Sequence, residues 1–351
     1  MAQTLRPTKF KDVNLDDTFF DSLKAQYDEF SDWFHKKSAE PVYVIDGETG
    51  GGIRGFLYLK VEEGEITDVN PPLPAKRRLK VGTLKVNAKG TKLGERIIKR
   101  IFDHALLENT KEVYVTVFDT HESLISLFKR YGFNEIGTKT TVNGTELVLL
   151  RSLETDINDI IKDYPLIHSA GCRKWLLAIR PQFHTRLLPD SILRTEDPAS
   201  EEDVPHTNSI HKVYIAGLAL TRMTRGDVVI LYRTTDGKGP AYYRSVATSV
   251  CVVEGTYTRA DFPNEDAFVE FAKDHSVFSE QELRDRYNDG KQLYVAKMTY
   301  NASFPKRPTR GKLLDDVGIS EYPYWQLREL DDKQFIRILE LGDVDEGIII
   351  D

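Results

Sequence analysis

The stretch from Leu84 to Arg96 limits most tightly what this chain can fold into. Leu84-Lys85-Val86 reads as the end of a strand, Asn87 to Lys92 as a short glycine-bearing turn, and a helix opens at Leu93. Beyond it Leu93, Ile97, Ile98, Ile101, Phe102 and Ala105 recur with the period of an amphipathic helix. A strand that runs straight into a helix leaves the first helical N–H groups without partners, at the positive end of the helix dipole. Such a junction is a natural seat for a phosphate group. Lys89, Lys92 and Arg96 bring positive side chains to the same place. The stretch therefore predicts a site for a diphosphate-bearing cofactor.

The flanking sequence has the same α/β character. Val42 to Ile45 and Ile53 to Val61 read as an antiparallel pair, and Gly82 marks a bulge in the strand Leu79 to Val86. Glu112 to Phe118 alternates as a strand does. A short helix follows, with Leu124, Leu127 and Phe128 on one side, and Gly132 fits the left-handed residue that stops it. Asn134 to Thr141 and Glu146 to Arg151 form a hairpin signalled by Asn143-Gly144. Residues 10 to 36 read as helical, with Phe19, Phe20, Tyr27, Phe30, Trp33 and Phe34 near helical spacing.

In this order and spacing, residues 5 to 152 resemble the GNAT family of acyl-CoA-dependent N-acyltransferases. The carriers are Leu84-Lys85-Val86, Lys89-Gly90-Thr91-Lys92-Leu93-Gly94, and Leu127-Phe128-Lys129-Arg130-Tyr131-Gly132-Phe133 with its hairpin. The resemblance implies a mixed sheet flanked by helices and acetyl-CoA as acyl donor. The main chain of Leu84, Lys85 and Val86 would pair with the pantetheine arm. The amides of Lys89, Gly90, Thr91, Lys92, Leu93 and Gly94 would hold the diphosphate, with Glu95 and Phe128 beside the cofactor. The sequence departs from the family pattern: the link from strand to turn is shorter than usual, Lys92 replaces the usual middle glycine, and Phe128 replaces the tyrosine that often protonates the leaving thiolate. Tyr131 then becomes the candidate acid, or a helix-end aromatic packed under the hairpin. His121 stands where an asparagine commonly opens the helix; it can cap the helix, bond the cofactor or carry protons. The aromatics of residues 10 to 36 either pack the core or line the acceptor pocket. No general base announces itself: Asp28, Glu29, Glu62, Glu63 and Glu65 read as a solvated face.

A length of 351 residues suits two domains. The boundaries read as 1–152, a polar linker helix over 153–168, and 169–351. With 29% charged and 40% hydrophobic residues, wholesale disorder is excluded. Neither an apolar run of membrane-spanning length nor a signal-peptide core is found. Cys172 and Cys251 are the only cysteines, which argues against a disulfide framework or zinc cluster and for a cytoplasmic setting. The net charge of −7 falls almost wholly in the second half, which counts against broad, non-specific nucleic-acid binding.

That second half reads as many short strands with few helices, the pattern of a small barrel. Strands are expected at Trp175 to Ile179, Val213 to Ile215, Asp227 to Arg233, Ala241 to Glu254 and Gln292 to Thr299, with an acidic loop at Glu196 to His206. Through Leu176-Leu177-Ala178-Ile179-Arg180-Pro181-Gln182-Phe183, Lys212-Val213-Tyr214-Ile215-Ala216 and Arg225-Gly226-Asp227-Val228-Val229-Ile230-Leu231-Tyr232, residues 170 to 342 resemble the ASCH branch of the PUA-like superfamily. That resemblance implies a small barrel used for RNA or modified-base binding. Arg173, Lys174, Arg180 and Arg186, with Lys306, Arg307, Arg310 and Lys312 and the aromatics Trp175, Tyr242 and Tyr243, would form a groove for single-stranded RNA. Alternatively these cations balance the acidic loop. Three functions are therefore expected in turn. The first is an N-acetyltransferase whose second domain recruits an acceptor or RNA. The second is an RNA-binding regulator that senses acetyl-CoA. The third is a small-molecule amine acetyltransferase with a structural barrel.

Overall fold

The computed structural model describes residues 5–47, 51–87, 93–188, 209–322 and 324–350, which divide into two units, Met1–Asp163 and Tyr164–Asp351. The first unit runs β1 (Leu5–Lys9), α1 (Asp21–Gln26), α2 (Phe30–Lys36), β2 (Pro41–Asp46), β3 (Ile53–Glu62), β4 (Arg78–Val86), α3 (Leu93–Leu107), β5 (Glu112–Phe118), α4 (Glu122–Arg130), β6 (Asn134–Thr141) and β7 (Gly144–Ser152). Its strands form one seven-stranded sheet in the order β1-β2-β3-β4-β5-β7-β6. Every pairing is antiparallel except β4 with β5, where α3 provides the crossover that parallel neighbours need.

Residues 10–36 are not one helical stretch. Asp17 caps its own turn by accepting the Phe19 N–H at 2.8 Å, and the polar step Tyr27-Asp28-Glu29 separates α1 from α2. The aromatics they carry form a core in which Phe10 meets Phe34 edge-on at 4.8 Å and Phe20 meets Phe56 at 5.3 Å. Such pairs are worth about 0.5–1.5 kcal/mol beyond the area they bury. On the other face of the sheet, Ile97, Ile98, Ile101 and Phe102 of α3 are fully buried, at roughly 1.5–3 kcal/mol for each side chain. Gly94 lets α3 approach α4, since a Cβ there would lie 2.9 Å from Cδ2 of Leu127.

The expected linker helix is absent. Residues 154–163 instead fold as turns around Asp163. Its buried carboxylate accepts the N–H groups of Ile157 and Asp159, both at 2.9 Å, and lies 3.3 Å from the Arg151 guanidinium. Side chain–backbone bonds of this kind compete with helix formation, which is why polar spacing alone misled.

The second unit comprises β8 (Ile167–His168), β9 (Lys174–Ile179), α5 (Pro181–Leu187), β10 (His211–Ala216), β11 (Val228–Arg233), α6 (Ala241–Arg244), β12 (Val246–Thr258), α7 (Glu265–Ala272), α8 (Glu280–Asn288), β13 (Tyr294–Ser303), α9 (Arg310–Asp315), β14 (Leu327–Leu330), α10 (Asp332–Gly342) and β15 (Ile349–Ile350). Six strands pair in the order β10-β13-β12-β11-β9-β14, and β8 pairs with β15. The expected barrel does not close among the described residues: β10 pairs only with β13, and the four-residue β14 only with β9. The strand expected from Ala241 begins only at Val246, because Pro240 starts the helical turn α6. Trp175, Leu177, Val229, Cys251 and Val295 are fully buried in its core. No described helix is long and apolar enough to cross a membrane. The acidic loop of Glu196 to His206 lies outside the described residues.

Candidate functional site

The site of the first unit begins with a fault in its sheet. β4 pairs with β5 only from Arg78 opposite Glu112 to Val81 opposite Val115. Thereafter β5 keeps its other neighbour, β7, to its end at Phe118, while β4 stays with β3 to Val86. The β3–β4 register slips where Tyr58 faces Thr83 and Leu59 faces Val81, so Gly82 is the bulged residue, as the sequence predicts. A Cβ at Gly82 would stand 2.7 Å from the Tyr58 ring. The bulge turns β4 away from β5. Among the described residues no strand pairs with the freed edge of Thr83 to Val86, whose main-chain groups stay open to an extended amide chain.

A cavity of about 320 Å3 opens against this gap. Gly82, Thr83 and Leu84 of β4 and Thr116 and Phe118 of β5 form its floor. Tyr27, Phe30 and Trp33 form a wall from the α1–α2 region, and His121 and Leu124 stand at the start of α4. Of the early aromatics, Phe19, Phe20 and Phe34 are core, Phe30 is core and also edges the cavity, and Tyr27 and Trp33 edge the cavity.

Two polar groups stand out. Tyr27 donates to Glu146 of β7, which faces Phe118 directly across the ladder. Burial, reinforced by the Glu146 charge, raises the Tyr27 pKa well above its ordinary value, so its hydroxyl remains a donor at physiological pH. Glu62, Lys60, Lys80 and Tyr114 make the second group. Burial works to raise the Glu62 carboxyl, but the Tyr114 hydrogen bond and the charge of Lys80 outweigh it, and the group sits below its usual range. Glu62 is therefore held in a half-buried network, not on the solvated face expected for it.

The residues expected at the cofactor separate. Lys89, Gly90, Thr91 and Lys92 lie outside the described residues. Leu84, Lys85 and Val86 lie on the freed edge of β4. The Lys85 ammonium is taken by the Phe19 carbonyl and by Ser22 Oγ at 2.5 Å, leaving only its main chain for a ligand. Leu93 is core, Gly94 packs against Leu127, and Glu95 is buried with Oε1 3.8 Å from Arg130. Phe128 is fully buried and meets Phe133 edge-on at 4.8 Å.

The structure does not bring the two expected catalytic residues together. His121 lines the cavity with Nε2 3.5 Å from the Gln26 amide. Tyr131 is buried past the other end of α4, and ten helical residues rise about 15 Å.

The expected basic groove of the second unit also separates. Arg173 lies 3.0 Å from Asp227 and stacks on Trp175, and the buried Lys174 pairs with Asp332 at 2.6 Å. Trp175 is 1% exposed, so it has no face free for a base. Seven residues of extended chain place Arg180 about 20 Å from Arg173. Arg180 borders a second cavity of about 690 Å3, with Phe183, Tyr214, Arg286, Tyr324 and Trp325. Arg186 is half-buried on α5, where its charge helps to lower the pKa of Glu282.

No family model matches the chain, and no curated protein matches it. Solved structures similar to it fall into two groups. ASCH from Zymomonas mobilis is 11% identical over 48% of this chain and 94% of its own, with a TM-score of 0.33. An N-acetyltransferase from Staphylococcus aureus Mu50 is 16% identical over 42% of this chain and 97% of its own, with a TM-score of 0.32. A GNAT family acetyltransferase from Elizabethkingia anophelis, with acetyl-CoA bound, is 12% identical over 43% and 97%, with a TM-score of 0.30.

Sequence reasoning missed Tyr27 as a polar partner, and it missed Glu146 altogether. One signal was available: an acid early in the second strand of a hairpin, opposite the last residue of β5, points into the sheet face that Phe118 marks.

Proposed function

We propose that the first unit is an N-acetyltransferase that moves an acetyl group from acetyl-CoA to an amine seated in the 320 Å3 cavity. The observation that carries this reading is the gap between β4 and β5. It supplies a free main-chain edge for a pantetheine-like arm on a strand that leads into α3, and it opens directly onto a cavity lined by an acid. In the reaction the amine nitrogen attacks the thioester carbonyl, the C–N bond forms and the C–S bond breaks. The amine gives up a proton and the departing sulfur gains one.

Glu146 is the carboxylate best placed to take the amine proton. Tyr27 holds it by a neutral hydrogen bond, and no cation of the described residues lies within ion-pair distance. His121, at the cavity edge just before α4, is better placed than Tyr131 to return a proton to sulfur. Calorimetric titration of the whole chain with acetyl-CoA and with CoA tests the reading first. Binding at micromolar levels, with thiol release when amines are added, is expected. Absence of binding overturns it.

The second unit favours a further reading, in which an RNA-binding regulator senses acetyl-CoA without consuming it. Arg180 and Arg286 beside the exposed ring of Tyr324 combine positive charge with ring surface, the elements of single-strand recognition. Under that reading acetyl-CoA binds and no thiol is released with any amine.

A further inference from the structure

The charges around the first unit's cavity are unevenly matched. Lys37, Lys60, Lys80 and Lys139 all reach it. Lys37 pairs one-to-one with Glu40 at 2.7 Å, and Lys139 pairs with Asp68. Lys60 and Lys80 must share Glu62, at 3.1 and 3.8 Å. Lys80 has the longer contact and only a fifth of its side chain is exposed. It also stands on β4 just before the bulge. Burial lowers its pKa; Glu62 opposes that shift, and the nearby charge of Lys139 adds to it. At the Tyr27 side the imbalance reverses, because among the described residues Glu146 has only the neutral Tyr27 hydroxyl as partner. One cavity thus holds an under-compensated cation and an under-compensated carboxylate, with aromatic rings beside the carboxylate.

We infer that the acceptor is a small primary amine that carries its own anion, of the amino-acid kind. Its ammonium is directed to Glu146 and the rings of Tyr27 and Trp33, and its carboxylate or phosphonate to Lys80. The inference rests on the acetyltransferase reading and deepens it. A cation beside aromatic faces and an acid gains from both, and an anion on a half-buried ammonium forms a charge-assisted hydrogen bond. A volume of about 320 Å3 is at the small end for ligand pockets, which suits an acceptor of this size.

The test uses the whole chain saturated with CoA and calorimetric titration with matched pairs: 4-aminobutyrate, 3-aminopropylphosphonate and glutamate, each against the alkylamine lacking the acid group. At least one acid-bearing member is expected to bind about tenfold or more tightly than its partner, the size of one hydrogen bond to a charged group. The carboxylate and phosphonate arms tell which anion is preferred. Lys80→Met should erase the difference, and Lys80→Arg, which keeps the charge, should retain it. If no acid-bearing member outbinds its alkylamine, or if the preference survives Lys80→Met, the inference is overturned. Failure of CoA or acetyl-CoA to bind the same protein before amines are added would instead overturn the acetyltransferase reading.

Discussion

Tyr27 donates a 2.9 Å hydrogen bond to Oε1 of Glu146, 119 residues further along the chain. The bond closes one side of the cavity: the loop between α1 and α2 is tied to the start of β7, and the Tyr27 ring lies 5.7 Å from that of Phe118. It also divides the roles. A phenol whose pKa is raised by burial stays protonated, so of the two groups only the carboxylate can accept a proton.

Replacing Glu146 by Gln keeps the shape and the Tyr27 contact but removes that capacity. The turnover number should fall by about 10²–10⁴, the usual contribution of a general base, with acetyl-CoA affinity unchanged. Tyr27→Phe keeps the base and should cost about tenfold or less. Steady-state thiol release and calorimetry on both variants measure this, and a Glu146→Gln enzyme at full rate would assign deprotonation to water.

Gly82 sits where the sheet opens, with the Tyr58 ring 2.7 Å from the place of a Cβ. Gly82→Val should drive that ring aside and narrow the passage between gap and cavity. Acetyl transfer is expected to drop by roughly 10²-fold, since small misplacements near the reacting atoms are costly. Under the proposed reading CoA pairs along Thr83 to Val86, beyond the bulge, and should still bind. Loss of transfer and binding together would mean that the bulge serves the cofactor.

The sheet of the first unit was legible because its signals are local: alternation in β5, the helical stripe of α3, the bulge at Gly82 and the stop at Gly132. The hairpin turns one residue earlier than Asn143-Gly144 suggests, since Gly144 already pairs with Thr141. The site was less legible, because its pairs join distant segments. Nothing in the sequence around Glu146 announces Tyr27, and nothing around Lys80 announces Lys139 on β6. Tyr131 and Phe128 were chosen by alignment to a motif, whereas burial is set by how α4 packs on α3. In the second unit, Arg173, Lys174 and Trp175 were adjacent in sequence and looked like a patch. Alternation along β9 and the partners Asp227 and Asp332 turned them into structural contacts.

Gly132 stops α4 at a φ of +80°, and a Cβ there would lie 2.3 Å from the Lys162 carbonyl oxygen. That neighbour is main chain and cannot swing away. Gly132→Ala combines a left-handed strain of about 1 kcal/mol with a backbone clash, so a total loss of roughly 3 kcal/mol is expected. Urea unfolding measures it. Gly64→Ala, at a φ of +100° with open space around it, isolates the conformational part and should cost less.

His184 gives the second unit a pH dependence of known sign. The ring is fully buried, its Nε2 lies 2.8 Å from Thr248 Oγ1, and Nδ1 has no hydrogen-bond partner. Burial first, then the charges of Arg233 and Arg307, depress its pKa from 6.5 to about 3. Above pH 6.5 folded and unfolded chains hold the same neutral ring, and stability is unaffected. Below it the unfolded chain binds a proton that the folded one refuses, so stability falls by up to about 1.4 kcal/mol per pH unit toward pH 3. Between pH 6.5 and 5, before most carboxylates titrate, the loss should reach roughly 2 kcal/mol. His184→Gln can keep the bond to Thr248 without a titrating group. Denaturant unfolding followed in the second unit at both pH values should therefore show the fall in the parent chain and little of it in the variant. An equal slope in both would place the proton uptake on another group.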